Sequence, residues 1–375
     1  MNEISIYSEQ IGSDISELFT SPVCNSSTIV LAPGHTQPPH SRCRKDLNLY
    51  SPFNEPVAQL GGGSYASKAV AVRSFPNAVV FNDYGIVRDA QGCFVKETLG
   101  AFRYLKSPVT SISEFSSYML PPEVVTQGNY IYGTHGNYSV YAHFLFETMC
   151  TVHLLRSLFS VGLVSLIIPS TSQTWMNSLL DYMEIPRCSR YLLERSRTQF
   201  SNLILSSTCS DYNTFSPNPV LKDMARHFLS RWGSTSGERR RLYITREGSQ
   251  NTAVREFRED AALSAALKDL GFITVNPATL PFEEQVRLFS MAEIVVGAHG
   301  SAFANLIFAP EGCKVVDILH SDWAQTGGCF TVNLTNLLRQ EYVYLIADSA
   351  PIEGGLSLSL DPKIVCERVK RFLRE

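Results

Sequence analysis

Two histidine–carboxylate combinations and one arginine are the residues best placed to do chemistry. Tyr141-Ala-His-Phe-Leu-Phe-Glu147 sets His143 and Glu147 four residues apart, a spacing that puts both side chains on one face of a helix. A carboxylate coupled to an imidazole can take a proton from a hydroxyl near neutral pH. Glu147 is the favoured base, with His143 orienting it or the hydroxyl-bearing molecule; the reverse assignment stays open. A core-edge histidine satisfied by a neighbouring carboxylate would share the spacing. His153, further along the same helix, reads as structural.

The second combination lies in Ile294-Val-Val-Gly-Ala-His-Gly-Ser-Ala-Phe-Ala-Asn305 and its continuation to Ile318. It reads as a buried strand, a Gly-His-Gly turn, a helix from Ser301, a Pro-Glu-Gly stop and a second buried strand ending at Asp317. Gly297 and Gly300 would allow a tight turn and close approach of a ligand. Ser301 would cap the helix, whose opening residues Gly300, Ser301 and Ala302 offer free N–H groups and a positive dipole end to a phosphate. His299 would point into the crevice at the carboxyl ends of the strands, and Asp317 would accept from ribose hydroxyls. Asn305 reads as bracing the loop more than touching the ligand. A nucleotide carrying a sugar fits this mouth, although the pattern is not G-x-G-x-x-G, which disfavours a dinucleotide oxidoreductase. Arg246, just after the strand Arg241–Thr245, can grip phosphate oxygens in bidentate fashion, with Arg255 assisting.

The elements that must position these groups follow from periodicity. Residues 1–120 alternate short β-rich runs, such as Ala69–Val72 and Ala78–Phe81, with glycine and proline turns, and read as a β-rich lead-in. From Tyr141 the period becomes helical, with Phe144, Leu145, Thr148, Val152, Leu155 and Phe159 on one stripe. A buried strand over 161–169, a helix over 173–184, a strand over 202–206 and a helix over 219–232 follow. Gly233-Ser-Thr-Ser-Gly237 reads as the domain junction. Beyond it the spacing predicts a strand at 241–245, a helix at 256–270, a strand at 272–275, a helix at 281–291 and the strand-turn-helix-strand unit. Such alternation implies a parallel sheet with right-handed crossovers. The expected domains are therefore 1–232, holding the lead-in and an acceptor-side α/β domain, and 238–355, binding the nucleotide. A last helix over 361–374 is expected to fold back from 356–375 onto the first domain.

Composition narrows the partners. The 375 residues carry a net charge of −3 and no lysine or arginine run beyond Arg239-Arg240-Arg241, so nucleic acid is not an expected partner. Nine cysteines, odd in number and without a CxxC pair, read as reduced thiols of a cytoplasmic protein. No secretory signal is visible at Met1-Asn-Glu-Ile-Ser-Ile, and the apolar runs at 158–169 and 294–309 fall short of a membrane span. Contact with a membrane is at most peripheral, at its inner face, and the sequons at Asn25, Asn137 and Asn333 are read as chance. His35, His40, Cys43 and Cys24 could be imagined as a zinc site, but Pro33, Gly34, Pro38 and Pro39 make a turn-rich loop the simpler account. Cys150 has no evident activating partner.

Three of these segments together resemble the family 61 glycosyltransferases. Tyr141–Glu147 with His153-Leu-Leu155 is similar to an aromatic-x-His-Trp-x-x-Glu/Asp motif. Tyr243-Ile-Thr-Arg246, with Arg255 and Glu259, is similar to Tyr-Ile-Ser-Arg and Arg-x-x-Asn-Glu segments. Gln285 and Gly297-Ala-His-Gly-Ser301 with Asn305 are similar to Gln-x-x-x-Phe and Gly-x-His-Gly-Ala-x-x-x-Asn. Phe144 stands for a usual tryptophan, Ser301 for an alanine, Arg258 for an asparagine and Asp317 for a glutamate. The resemblance implies a GT-B architecture of two facing Rossmann-like domains. It also implies an inverting hexosyl- or pentosyltransferase that moves a sugar from a nucleotide-sugar donor, expected to be UDP-linked, to a hydroxyl of a polysaccharide or lipid-linked glycan. No Asp-x-Asp motif is present, so no metal cofactor is expected. A non-catalytic glycan- or nucleotide-binding protein of the same fold is the alternative.

Overall fold

The fold is that of a computed structural model, which describes residues 28–32, 36–37, 43–45, 65–66, 70–82, 85–92, 95, 98, 120–133, 138–170, 174–206, 210–211, 216–247, 255–320, 329–353 and 355–375. The chain forms two compact units, Met1–His35 with Lys68–Tyr212 and Thr36–Ser67 with Asn213–Glu375. Each is α/β and built on its own sheet, rich in parallel pairs. Among the described residues no helix is long and apolar enough to cross a membrane.

In the first unit the strands are β1 (Thr28–Ala32), β2 (Val70–Phe81), β3 (Ile86–Arg88), β4 (Val124–Tyr132), β5 (Ser165–Pro169), β6 (Arg190–Leu193) and β7 (Arg197–Ser206). Their order is β1-β2-β7-β4-β5-β6, with β3 also on β2. The β-rich lead-in supplies the antiparallel side, where β7 pairs with β2 from Arg197 opposite Phe81 to Ser206 opposite Val72. The parallel side begins where β7 meets β4. Val80, Tyr132, Ile167, Phe200, Leu203 and Leu205 fill one core, with Tyr191 edge-on to Tyr130 and Phe200 at 5.3 and 5.4 Å and Tyr130 tilted against Phe200 at 4.8 Å. The helical stripe read from the sequence is the buried face of one continuous helix, Tyr141–His143, Phe144–Thr148 and Met149–Ser160, here α1. Phe144, Leu145, Thr148, Val152, Leu155 and Phe159 are all buried. The helix α2 (Thr174–Tyr182) follows.

The second unit holds α3 (Val220–Trp232), β8 (Arg240–Ile244), β9 (Arg255–Phe257), α4 (Asp260–Lys268), β10 (Phe272–Val275), α5 (Phe282–Ser290), β11 (Ala292–Ala298), a 3-10 helix (Ser301–Phe308), β12 (Lys314–His320), α6 (Cys329–Leu338), β13 (Glu341–Ile352), β14 (Gly355–Ser359) and α7 (Pro362–Arg374). The strand order is β9-β14-β13-β12-β11-β8-β10, and the pairs are parallel except β13 with β14. Strands such as Ile294-Val-Val296 and Val315-Val316 are apolar throughout because both faces of a parallel sheet are covered.

Several boundaries fall elsewhere than the sequence implied. The units divide between Tyr212 and Asn213, ahead of Gly233–Gly237. Gly233 instead ends α3, its N–H on the Leu229 carbonyl at 2.8 Å. Phe228 of α3 packs edge-on against Phe282 and Phe308 of the second unit, at 4.9 and 6.1 Å, so the apolar face of that helix decides its unit. The C-terminal helix likewise lies in the second unit's own core: Val365, Cys366, Val369 and Phe372 join Leu263, Leu267 and Phe272. Burying each such large apolar side chain contributes about 1.5–3 kcal/mol. A short strand, Cys43–Lys45, adds itself in parallel to Tyr342–Tyr344, so part of the lead-in completes the second sheet. The helix expected over 256–270 begins only at Asp260, because Arg255–Phe257 pairs with Leu356–Leu358.

Candidate active site

In the first unit, α1 changes from α to π geometry at Phe144–Thr148, so that the N–H of Met149 reaches back five residues to the Phe144 carbonyl. A π segment widens the turn, and such segments collect at functional positions. Nδ1 of His143 and Oε1 of Glu147 lie 2.9 Å apart. The side chains differ in access: His143 keeps 17% of its surface and Glu147 4%. A carboxylate this deep in the protein needs partners to offset lost hydration, and His143 is one. Hydroxyls anchor the backbone behind it. Thr151 Oγ1 donates to the Glu147 carbonyl at 3.1 Å and lies 2.8 Å from Ser206 Oγ, which can donate to it in turn. Thr148 Oγ1 donates to the Gly133 carbonyl at 3.2 Å. Phe144 and Tyr141 both meet the edge of Trp175 from α2, at 5.3 and 5.7 Å. Nothing in its sequence neighbourhood singles out Trp175, whose place depends on a contact between two helices.

In the second unit the Tyr-Ile-Thr-Arg end of β8 meets the Gly-His-Gly turn. Nη2 of Arg246 donates to the His299 carbonyl at 2.7 Å. The arginine lies so close over Gly300 that a Cβ there would sit 2.2 Å from Nη2. Gly300 is extended, with φ 177°, so room and not backbone conformation requires glycine here. Gly297 also differs from the expected turn residue. It lies inside β11, where a Cβ would come within 3.0 Å of Ile244.

His299 is anchored through its main chain, N–H to the Ile318 carbonyl at 2.9 Å, and through its ring, Nδ1 to Asp317 Oδ2 at 2.8 Å. Because the carboxylate only accepts, Nδ1 carries the proton. Tyr342 donates to the same Oδ2 at 3.1 Å, and the Thr331 hydroxyl lies 3.4 Å from Nδ1. The imidazole faces the Phe303 ring at 6.3 Å and 22°. Oδ1 of Asp317 is buried and has no hydrogen-bond partner among the described residues.

Several sequence expectations change on this geometry. Asp317 stands in the middle of β12, paired with Gly297 and Tyr344, and is fully buried; a carboxylate at the strand end, open to ribose hydroxyls, is not what the sheet provides. Ser301 is exposed and is the first residue of the 3-10 helix, while the capping position is Gly300, with no side-chain cap bond. Ala302 is half-buried beside it. Asn305 is buried and donates to Gln285 Oε1 at 2.9 Å, and Gln285 donates to the Leu280 carbonyl at 3.0 Å. Both residues therefore brace the segment. Arg255 opens β9 and pairs with Leu356 instead of lying in a loop. Glu259 accepts from Ser359 Oγ at 2.7 Å and the Leu360 N–H at 3.1 Å, and Arg258 Nε donates to Ser357 Oγ at 2.8 Å. These two fasten α4 to β14. His35, His40 and Cys24 lie outside the described residues, and Cys43 opens the short strand on β13.

Residues 141–316, which hold the histidine–glutamate helix and the arginine-capped Gly-His-Gly turn, match the family described as Glycosyltransferase 61. That segment of the chain belongs to family 61. The match runs from Tyr141 at the start of α1 to Val316, one residue before Asp317, so Thr331 and Tyr342 lie beyond it. No curated protein matches the chain in sequence. The family makes the activity a sugar transfer, with a sugar donor and a glycan acceptor as its substrates in general terms.

Proposed function

We propose that the protein is an inverting, metal-independent glycosyltransferase of the GT-B type that uses a nucleotide-sugar donor, UDP-linked, and a hydroxyl of a polysaccharide or lipid-linked glycan as acceptor. The observation that carries this reading is Arg246 held over Gly300 with Nη2 on the His299 carbonyl. It joins two sequence segments separated by about fifty residues into one place where a guanidinium, backbone N–H groups and a helix N-terminus converge, the donor set a leaving diphosphate requires. Gly300, Ser301 and Ala302 supply the backbone edge of this site. His299 belongs to it as an oriented imidazole, with Asp317 and Asn305 supporting from behind.

Glu147 is the base that takes the acceptor hydroxyl's proton as the oxygen attacks the anomeric carbon. The bond from that carbon to the diphosphate breaks on the opposite face, and the electron pair leaves with the diphosphate. His143 orients Glu147 and passes the proton onward. The 2.9 Å contact between His143 Nδ1 and Glu147 Oε1 links the two groups for that division of work. A cytoplasmic setting agrees with Cys188, Cys313 and Cys366, which form no disulfide among the described residues.

Calorimetric titration with uridine, guanosine, cytidine and adenosine diphosphates and their common sugar conjugates, with and without EDTA, tests the reading. One nucleotide should bind saturably, independently of EDTA, and Arg246→Ala should weaken that binding by about 10- to 100-fold. Failure of all four to bind would sink the diphosphate site and bring forward a glycan-binding module without catalysis.

A further inference from the structure

We infer that Asp260 is the positioning residue for Arg246, an assignment that rests on the reading of Arg246 as the diphosphate-binding arginine. Asp260 is the first residue of α4, where an acidic side chain is unremarkable because it favours the helix N-terminus. Its contacts go elsewhere. Oδ1 accepts from the Tyr243 hydroxyl; Oδ2 accepts from Thr245 Oγ1 at 2.8 Å and from the Arg246 N–H at 3.0 Å. One carboxylate thus fixes three of the four residues of the Tyr-Ile-Thr-Arg segment. Burial, reinforced by the Asp260 charge, raises the Tyr243 hydroxyl well above its ordinary pKa and keeps it a donor. Thr245 Oγ1 accepts in turn from the Glu247 N–H at 3.0 Å, so the clamp holds the backbone on both sides of Arg246.

Arg246 is consequently pinned at two ends. Asp260 holds its main-chain N–H, and the His299 carbonyl holds Nη2 at the tip. An arginine at the end of a strand samples many rotamers, and each bond to phosphate must offset the entropy of choosing one. Fixing the backbone end and the tip beforehand removes most of that cost, as preorganised sites do. Asp260 acts through Arg246 and is not itself a ligand for the donor.

A double-mutant cycle on the full chain, read as the Kd of uridine diphosphate by calorimetry, separates positioning from mere support of the fold. Arg246→Ala should weaken binding by about 10- to 100-fold, as expected for a lost hydrogen bond to a charged group. Asp260→Asn should weaken it several-fold in wild-type background and hardly at all in the Arg246→Ala background. Thr245→Val, which removes one strut and leaves the carboxylate, should show the same dependence at smaller amplitude and serves if Asp260→Asn does not fold. If Asp260→Asn or Thr245→Val weakens binding equally in both backgrounds, or in neither, the positioning role is overturned while the arginine's role stands. If Arg246→Ala leaves the Kd within two-fold, or wild-type protein does not bind the nucleotide, the reading of the site falls and this assignment with it.

Discussion

The two units each carry a histidine–carboxylate pair of nearly equal length, 2.9 Å for His143 with Glu147 and 2.8 Å for His299 with Asp317, and they differ in how they are made and enclosed. The first comes from four-residue spacing on one helix, at a π segment, and its histidine is partly open to solvent. The second joins residues eighteen apart across neighbouring parallel strands; its carboxylate is fully buried and also receives Tyr342. A proton can be exchanged with an incoming hydroxyl only where one partner is accessible. Under the proposed function, the same chemistry of contact serves as a reacting pair in one place and as an orienting pair in the other.

The largest expected effect breaks the first pair without emptying its space. Glu147→Gln preserves the shape and a hydrogen bond to His143 but cannot take a proton, so turnover should fall about 10²- to 10⁴-fold. Donor binding and the melting temperature should stay near wild type. A Gln variant that transfers sugar at wild-type rate but melts early would make both pairs structural and end the contrast. The second pair should respond in the opposite currency. Asp317→Ala leaves His299 and Tyr342 without their acceptor in a sealed site, and removing one partner of a buried pair costs about 3–5 kcal/mol. Urea unfolding should show the loss as a lower midpoint at unchanged slope. A stability change below about 1 kcal/mol, with transfer abolished, would assign Asp317 to the reaction instead.

How much of this was legible from the chain depends on the range of the contacts involved. The stripe from Phe144 to Phe159, the strand at 272–275 and the His143–Glu147 contact were readable because each depends on residues within a few positions of one another. The π turn was not, since it adds no residue-type signature. Asp317 was read as a strand end because Pro310 and Gly312 mark where the strand begins, while its end at His320 depends on pairing with Ala347. Glu256 and Phe257 read as the start of a helix because the residues they pair with, Ser357 and Leu358, lie about a hundred residues away. Asp260 was invisible for a different reason: an acid at a helix start is so common that nothing distinguishes one that also holds a strand.

Gly300→Ala probes the second region beneath the Arg246 guanidinium. The backbone there is extended, which alanine adopts without strain, so the new methyl displaces the tip of Arg246 from its place 2.2 Å away and not the turn itself. Stability should change by less than about 1 kcal/mol, while nucleoside diphosphate binding should weaken by about tenfold or more. Should the protein unfold with binding intact in the surviving fraction, Arg246 would be a strut of the turn and not its ligand-gripping group.

One further substitution is the most diagnostic of what Asp317 does. Tyr342→Phe removes one of two hydrogen bonds to Oδ2 and leaves that of His299, so the loss in stability should be near the net worth of a single hydrogen bond to a charged group, about 1.5–3 kcal/mol. The ring still fills its space, so no cavity adds to that cost. If Asp317 only orients His299, the remaining bond keeps Nδ1 protonated, and the ¹⁵N shifts of the imidazole should report the same tautomer in wild type and Tyr342→Phe. A change of tautomer would mean that the tyrosine, and not the carboxylate alone, sets the state of His299. The His299–Asp317 pair would then be a three-residue relay, responsive to its surroundings in the way that His143 and Glu147 are.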